Sequence, residues 1–184
     1  MTNLMESSSY FNNGLRHAVF GALFVLGFHL MGQKQYVKRF EYLAAAVVSS
    51  SALFFLPGHI GRYGSWLDQL YQFLHYPLAD WDILLFGISW HRFFVTHSLA
   101  IPALLLILLL RHPIGHPVGM GLSVGMSSHL IWDALTCSMR TPVVFIDNII
   151  EIRGYDAKGW LIIHGLLLLA LAWHTSRVAE RNEA

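Results

Sequence analysis

The stretch "GWLIIHGLLLLALAWH", residues 159–174, contains no Asp, Glu, Lys or Arg. A helix that crosses a bilayer needs about 20 such residues, and a buried helix of a soluble protein can look the same. Four further runs decide between these readings. "SLAIPALLLILLLR" closes an apolar run over 93–111, "FEYLAAAVVSSSALFFLP" fills 40–57, and two more cover 15–31 and 118–136. A soluble core accommodates one run of this kind, not five. The sequence therefore predicts an all-α fold: a polytopic integral membrane bundle of about four to five spans, one domain over residues 1–184. The first run is expected to stay in the protein. Its leading region is long, carries Glu6, and no small-x-small cleavage site follows Met31.

Composition agrees. The chain is 55% hydrophobic and 12% charged, against about 25% charged in an ordinary globular protein. That shortage, with a net charge of +1, excludes a disordered or nucleic-acid-coating role. Eleven histidines nearly equal the Lys and Arg together, which directs attention to metal or proton chemistry. The single Cys137 excludes an internal disulfide and a cysteine-rich zinc site.

Between the second and third spans lies a polar excursion. Within it "SWLDQLYQFLHYP", residues 65–77, predicts a short helix with Ser65 as N-cap and Pro77 as its stop. Trp66, Leu67, Leu70, Tyr71 and Leu74 form its apolar face. Two readings are open: a helix lying in the membrane interface, or a soluble helix packed on the bundle. The later loop "MRTPVVFIDNIIEIRGYDAKG" is expected to run along the surface. In the fourth span, Gly115, Gly119, Gly121 and Gly125 include two small-x-x-x-small pairs, read as close helix packing.

Against this apolar background, "DWDILLFGISWHRFFVTHS", residues 80–98, concentrates two carboxylates, two imidazoles and a guanidinium. Such groups near a membrane are expensive and usually functional. Threading five spans places His17, Asp80, Asp82, His97, His129, Asp133 and His164 near one membrane boundary. Scattered core histidines would not sort this way. Lys and Arg divide six and six between the two sides, and the compact Lys34, Lys38, Arg39 group favours the opposite side as cytoplasmic.

His129 and Asp133 share a helix face at i,i+4. Alone, the pair reads equally as a buried hydrogen bond or as two metal ligands. Together with Asp80, Asp82 and His97, and without cysteine, the set suits a borderline divalent cation, Zn²⁺ first and Mn²⁺ second, as one or two ions. Such an ion would draw a nucleophile from water at neutral pH, as hydrolysis of a phosphoester or amide requires. A different class of function, metal or proton transport or metal sensing, would use the same residue types. It should, however, carry polar groups through to the other side, whereas Pro102 and a Leu-rich run follow His97.

"DWD", then "HRFFVTHS", then "HLIWDALT" resemble the YdjM family of bacterial inner-membrane proteins, regarded as metal-dependent hydrolases. The early histidine of that family matches His17 in "RHAVFG". Its D-x-D element matches Asp80 and Asp82, with Ala79 in place of Pro. His91, Arg92, Thr96, His97 and Ser98 match the central block, with Phe93 where Gly is common, and His129, Asp133 and Thr136 match the last. The likeness covers about residues 15–137. The family is in turn distantly similar to zinc-dependent phospholipase C and nuclease enzymes. Their further H-x-x-x-E pair is absent here, since Leu168 follows His164 at that spacing.

The resemblance implies a multi-pass inner-membrane hydrolase whose partners are membrane lipids and a small-molecule or lipid substrate, with no nucleic acid. Metal ligands would be His17, Asp80, Asp82, His97, His129 and Asp133, with Asp80 alternatively orienting a ligand histidine. His91 would be a ligand or the general acid. Arg92 would clamp a phosphate oxygen or, equally, snorkel to headgroups. His91, Arg92 and Asp80 are thus the catalytic candidates. Thr96 and Ser98 are read as capping the third span or holding a ligand. No Gly-flanked serine elbow is present, which argues against a serine hydrolase. Asp147 and Glu151 read as a solvated or Arg153-paired face rather than as added ligands.

Overall fold

The computed structural model describes residues 2–31, 36, 38–52, 66–146 and 149–183. Its elements are α1 (Thr2–Leu30), α2 (Phe40–Ser50), α3 (Trp66–His75), α4 (Trp81–Phe86), α5 (Ala100–Leu109) and α6 (Gly115–Thr136). A two-stranded antiparallel hairpin follows, β1 (Val143–Ile146) and β2 (Ile150–Ile152), and then α7 (Gly154–Glu183). Single 3₁₀ turns, Leu78–Asp80 and Ile88–Trp90, flank α4. The fold is all-α apart from the hairpin.

α6 is the hub, packed on α1, α2, α5 and α7. Small residues allow this. A Cβ at Gly121 would collide with the Tyr42 carbonyl, and one at Gly125 with the Ala46 carbonyl and the Ser49 hydroxyl. Gly115 and Gly119 admit Leu109 and Leu106 of α5 in the same way. All four glycines are thus packing residues, as their spacing predicts. The serines of the bundle are tied to carbonyls: Ser127 Oγ donates to Gly165 O of α7 at 2.6 Å, and Ser123 and Ser128 bond back within α6.

Large apolar side chains sit on the outside as well as in the core. Leu15, Val19, Leu23, Leu26 and Leu30 make an exposed stripe on α1, and Leu104, Ile107 and Leu108 another on α5. Meanwhile Ser, His and Asp are buried.

Among the described residues, Gly154–Ala179 is long and apolar enough to cross a membrane by length and composition; Gly14–Leu30, Phe40–Ser50 and Ala100–Leu109 are shorter apolar segments. The expected third span, 93–111, is helical only from Ala100 to Leu109, about 15 Å of rise. Two interactions delay its start. Phe94 N–H donates to Val144 O and Val144 N–H to Arg92 O, tying the chain to β1. Phe93 N–H, moreover, is taken by Asp82. The stretch 141–152 is likewise not wholly a surface loop, because Val143 and Val144 enter the core. α3 forms where predicted, while the second span beyond Ala52, His59 and the proposed cap Ser65 lie outside the described residues.

Candidate metal centre

Four pieces of the chain meet at one end of α6. α6 presents His129 and Asp133 from one face, one turn apart. α1 brings His17, whose ring lies 4.8 Å from that of His129. The turn Leu78–Asp80 and the start of α4 bring Asp80 and Asp82, and the loop before α5 brings His91, Arg92 and His97. All six residues expected as ligands are buried, Asp82 and His97 completely.

Asp80 Oδ1 is the shared point. It lies 3.5 Å from His97 Nε2, 3.6 Å from His129 Nε2 and 3.6 Å from His91 Nδ1. Asp133 closes the group, with Oδ1 3.9 Å from His129 Nε2 and 4.0 Å from His17 Nε2, and Oδ2 3.8 Å from His97 Nε2. On the other side, Asp82 Oδ1 is 3.7 Å from His91 Nδ1.

These distances are too long for hydrogen bonds. Asp80 Oδ1, Asp82 Oδ1, His91 Nδ1, His97 Nε2 and His129 Nε2 are all buried without a hydrogen-bond partner among the described residues. Ligands at about 2.0–2.1 Å around a tetrahedral ion lie about 3.4 Å from one another. The observed spacing fits atoms sharing a cation, and equally imidazolium–carboxylate ion pairs, 3.5 Å for His97–Asp80 and 3.6 Å for His129–Asp80. Three overlapping sets, His17–His129–Asp133, Asp80–His97–His129 and Asp82–His91–His97, could hold a metal ion.

Supporting bonds fix the two deepest imidazoles. His129 Nδ1 lies 3.1 Å from the Ser50 carbonyl of α2. A carbonyl only accepts, so Nδ1 carries the proton and, in the neutral ring, the Nε2 lone pair faces the carboxylates. His97 Nδ1 faces Asp82 Oδ2 at 3.3 Å, with the same consequence for its Nε2. Asp82 Oδ2 also accepts from Phe93 N–H at 2.9 Å and Thr96 Oγ1 at 2.8 Å. Trp160 Nε1 donates to His97 O at 3.0 Å from α7.

The orienting carboxylate is therefore Asp82 through Oδ2, while Asp80 is the one exposed to several imidazoles. Sequence reasoning assigns Asp82 as a ligand and Asp80 as a ligand or an orienting partner; Asp82 Oδ1 still faces His91 within one of the three sets. Thr96 holds Asp82, and Ser98 Oγ accepts from Ala100 N–H at the start of α5, as expected of a ligand-holder and a cap.

Arg92 is buried and donates from Nε to Asp133 Oδ2 at 2.9 Å. This replaces the snorkelling alternative. Its backbone is left-handed, φ +70°, a strained conformation for a non-glycine residue, and the pairing of its carbonyl with Val144 N–H helps hold it there. Its Nη1 is buried with no hydrogen-bond partner among the described residues.

The electrostatics press the same way. Three carboxylates, Asp80, Asp82 and Asp133, face one guanidinium and the imidazoles of His91, His97 and His129. Burial pushes the Asp80 and Asp82 carboxyls up, but the surrounding imidazoles outweigh it and hold both well below the usual carboxylate range. Both therefore remain anionic at neutral pH. Uncompensated buried charge is strongly unfavourable. Protonation of two of the facing imidazoles, or one divalent cation over neutral rings, balances the centre.

No family model, curated protein or solved structure matches the chain. The chemistry accordingly rests on the donor set.

Other expected polar residues are accounted for elsewhere. His164 packs at a tilt against Trp160, ring centroids 4.1 Å apart, and its Nδ1 accepts from Leu99 N–H, so it supports the loop from outside the cluster. Glu151 is in β2, paired with Arg153; Asp147 lies outside the described residues. His112 Nδ1 accepts from Gly115 N–H at 2.9 Å, a cap for α6 at its far end. The Ser50 carbonyl and Trp160 were not foreseen. A backbone carbonyl has no sequence signature, and a tryptophan at a helix start reads as packing.

Proposed function

We propose that this protein is a multi-pass inner-membrane, metal-dependent hydrolase acting on a phosphoester or lipid-like substrate at the membrane surface, as its resemblance to the YdjM family implies. The observation that carries the proposal is the set of buried carboxylate and imidazole atoms around Asp80 Oδ1, without hydrogen-bond partners among the described residues and at distances a cation could share. Asp80, His97, His129 and Asp133 would hold the ion, with His17 beside them; Zn²⁺ fits the N/O donor set best and Mn²⁺ next. When bound, it supplies a Lewis acid and lowers the pKa of water.

The chain's own residues do the rest. Asp82, Thr96 and the Ser50 carbonyl keep the two deep imidazoles aimed inward. Arg92 fixes Asp133 and offers Nη1–H to a phosphate oxygen. His91 is the least buried member of the cluster, side chain 27% exposed, and is placed to give the leaving alcohol its proton as the ester P–O bond breaks and water oxygen bonds to phosphorus. Membrane embedding is supported by the exposed apolar stripes on α1 and α5 and by the polar groups buried beside the apolar core. Transport is less well supported, because the serines deeper in α6 are already tied to carbonyls.

The test is turnover of a panel of phospholipids and simple phosphodiesters by protein reconstituted with Zn²⁺ or Mn²⁺. Activity lost in Asp80→Asn supports the reading. If the metal-loaded protein leaves every phospholipid and phosphodiester intact, the hydrolase reading falls.

A further inference from the structure

An apolar groove of about 580 Å³ runs between α1 and α2. Its lining follows both antiparallel helices, from His29, Leu26 and Leu43 at one end to Ala18, Gly21 and Ser50 at the other. The second end abuts the metal centre. Ser50 is the residue whose carbonyl holds His129, Gly21 touches Ser50, and Ala18 follows His17 directly. Small side chains form the floor, while exposed Ala22, Leu26, Leu43 and Val47 open it sideways onto the apolar surface.

From Ala18 to His29 the groove follows α1 for about 16 Å, close to the ~15 Å of one leaflet's hydrocarbon. Its volume lies in the range of about 300–1,000 Å³ that encloses a small ligand. A groove one leaflet long, apolar, open to the side and ending at a polar centre matches an alkyl chain whose headgroup lies at that centre.

We infer that the α1–α2 groove seats one alkyl chain of a membrane lipid, so that the substrate class is a lipid phosphoester and not a soluble one. This rests on the reading of the centre as a phosphoester hydrolase. The chain would enter laterally past Ala22 and Val47, over the small side chains of Ala18 and Ala46. Displacing even two methylenes should weaken binding about tenfold.

The test is photo-crosslinking in phosphatidylcholine vesicles, using a phosphatidic acid with a diazirine in one acyl chain and mass spectrometry to map adducts. Ala22→Phe and Val47→Trp fill the groove from exposed positions, and Leu104→Phe adds bulk on α5 as a control. The inference expects adducts concentrated on α1 and α2, reduced about tenfold in both groove variants and unchanged in the control. Even labelling of all exposed apolar faces, unaffected by Ala22→Phe, would overturn it. Crosslinking needs no turnover, so the two readings separate. A labelled groove with no hydrolysis removes the hydrolase, whereas hydrolysis of soluble phosphodiesters with an unlabelled groove removes the lipid.

Discussion

Asp82 commits one oxygen to the protein and leaves the other bare. Oδ2 takes the Phe93 and Thr96 donors and faces His97 Nδ1, while Oδ1 has no hydrogen-bond partner. Asp82→Asn keeps the shape but removes the anion behind His97, and should weaken metal binding about 10–100-fold, read by competition against a chelator. The same substitution tests linkage. Because the folded Asp82 carboxyl is held below its ordinary value, the stability it contributes is complete above pH ~3.9 and drains away as pH falls through the folded value. Acid melting of the metal-free protein between about pH 5 and 2 should be shallower in Asp82→Asn than in the parent. Asp80→Asn should act in the same sense on the metal-free protein. It removes an anion that the facing imidazoles favour and should lower the Tm of the metal-free protein, while abolishing the shift on adding Zn²⁺. At this scale the sequence was most legible. His129 and Asp133 follow from helical spacing, and Asp80, Asp82, His91 and His97 are close along the chain. Which aspartate orients and which is shared depended on Phe93 N–H and Thr96, contacts that no spacing rule contains.

At the scale of elements, α2 reaches the centre only through its backbone, so its distance from α6 sets the position of the Ser50 carbonyl. Gly125→Ala would drive its Cβ into Ala46 and Ser49. It should cost about 1–3 kcal/mol and lower metal affinity although no ligand changes, measured by thermal melts with and without Zn²⁺. If affinity stays at the parent value while stability falls, the α2 contact has no role in the centre. The glycine pattern in α6 gave notice of this packing, but not of its partner. The start of α5 was illegible for a related reason. Apolar periodicity continues through Phe93, Phe94 and Val95, and only the pairing of that segment with Val144 and Asp82 shows why the helix waits until Ala100. Long-range backbone hydrogen bonds override local propensity without leaving a trace in it.

At the scale of the whole molecule, many large apolar side chains among the described residues are exposed, while a group of Ser, His and Asp is buried beside an apolar core. If lipid is the solvent, Leu104→Asp on the exposed face of α5 should destabilise the membrane-inserted protein by about 2.5–3.5 kcal/mol and reduce the carbonate-resistant fraction. On a water-facing surface the same change would be neutral or would aid solubility. Threading five spans brings His17, Asp80, Asp82, His97, His129 and Asp133 to one end, where the fold gathers them from four pieces of the chain, but it also brings His164, which lies outside the cluster. What the sequence could not supply was the charge balance, since only the fold brings three carboxylates against a single guanidinium. The most direct test of that balance is elemental analysis of detergent-purified protein, beside His97→Ala and Asp133→Ala. The account predicts about one equivalent of zinc or manganese per chain, lost in both variants. No bound metal after reconstitution with either ion would contradict it and leave the cluster as a proton-sharing network.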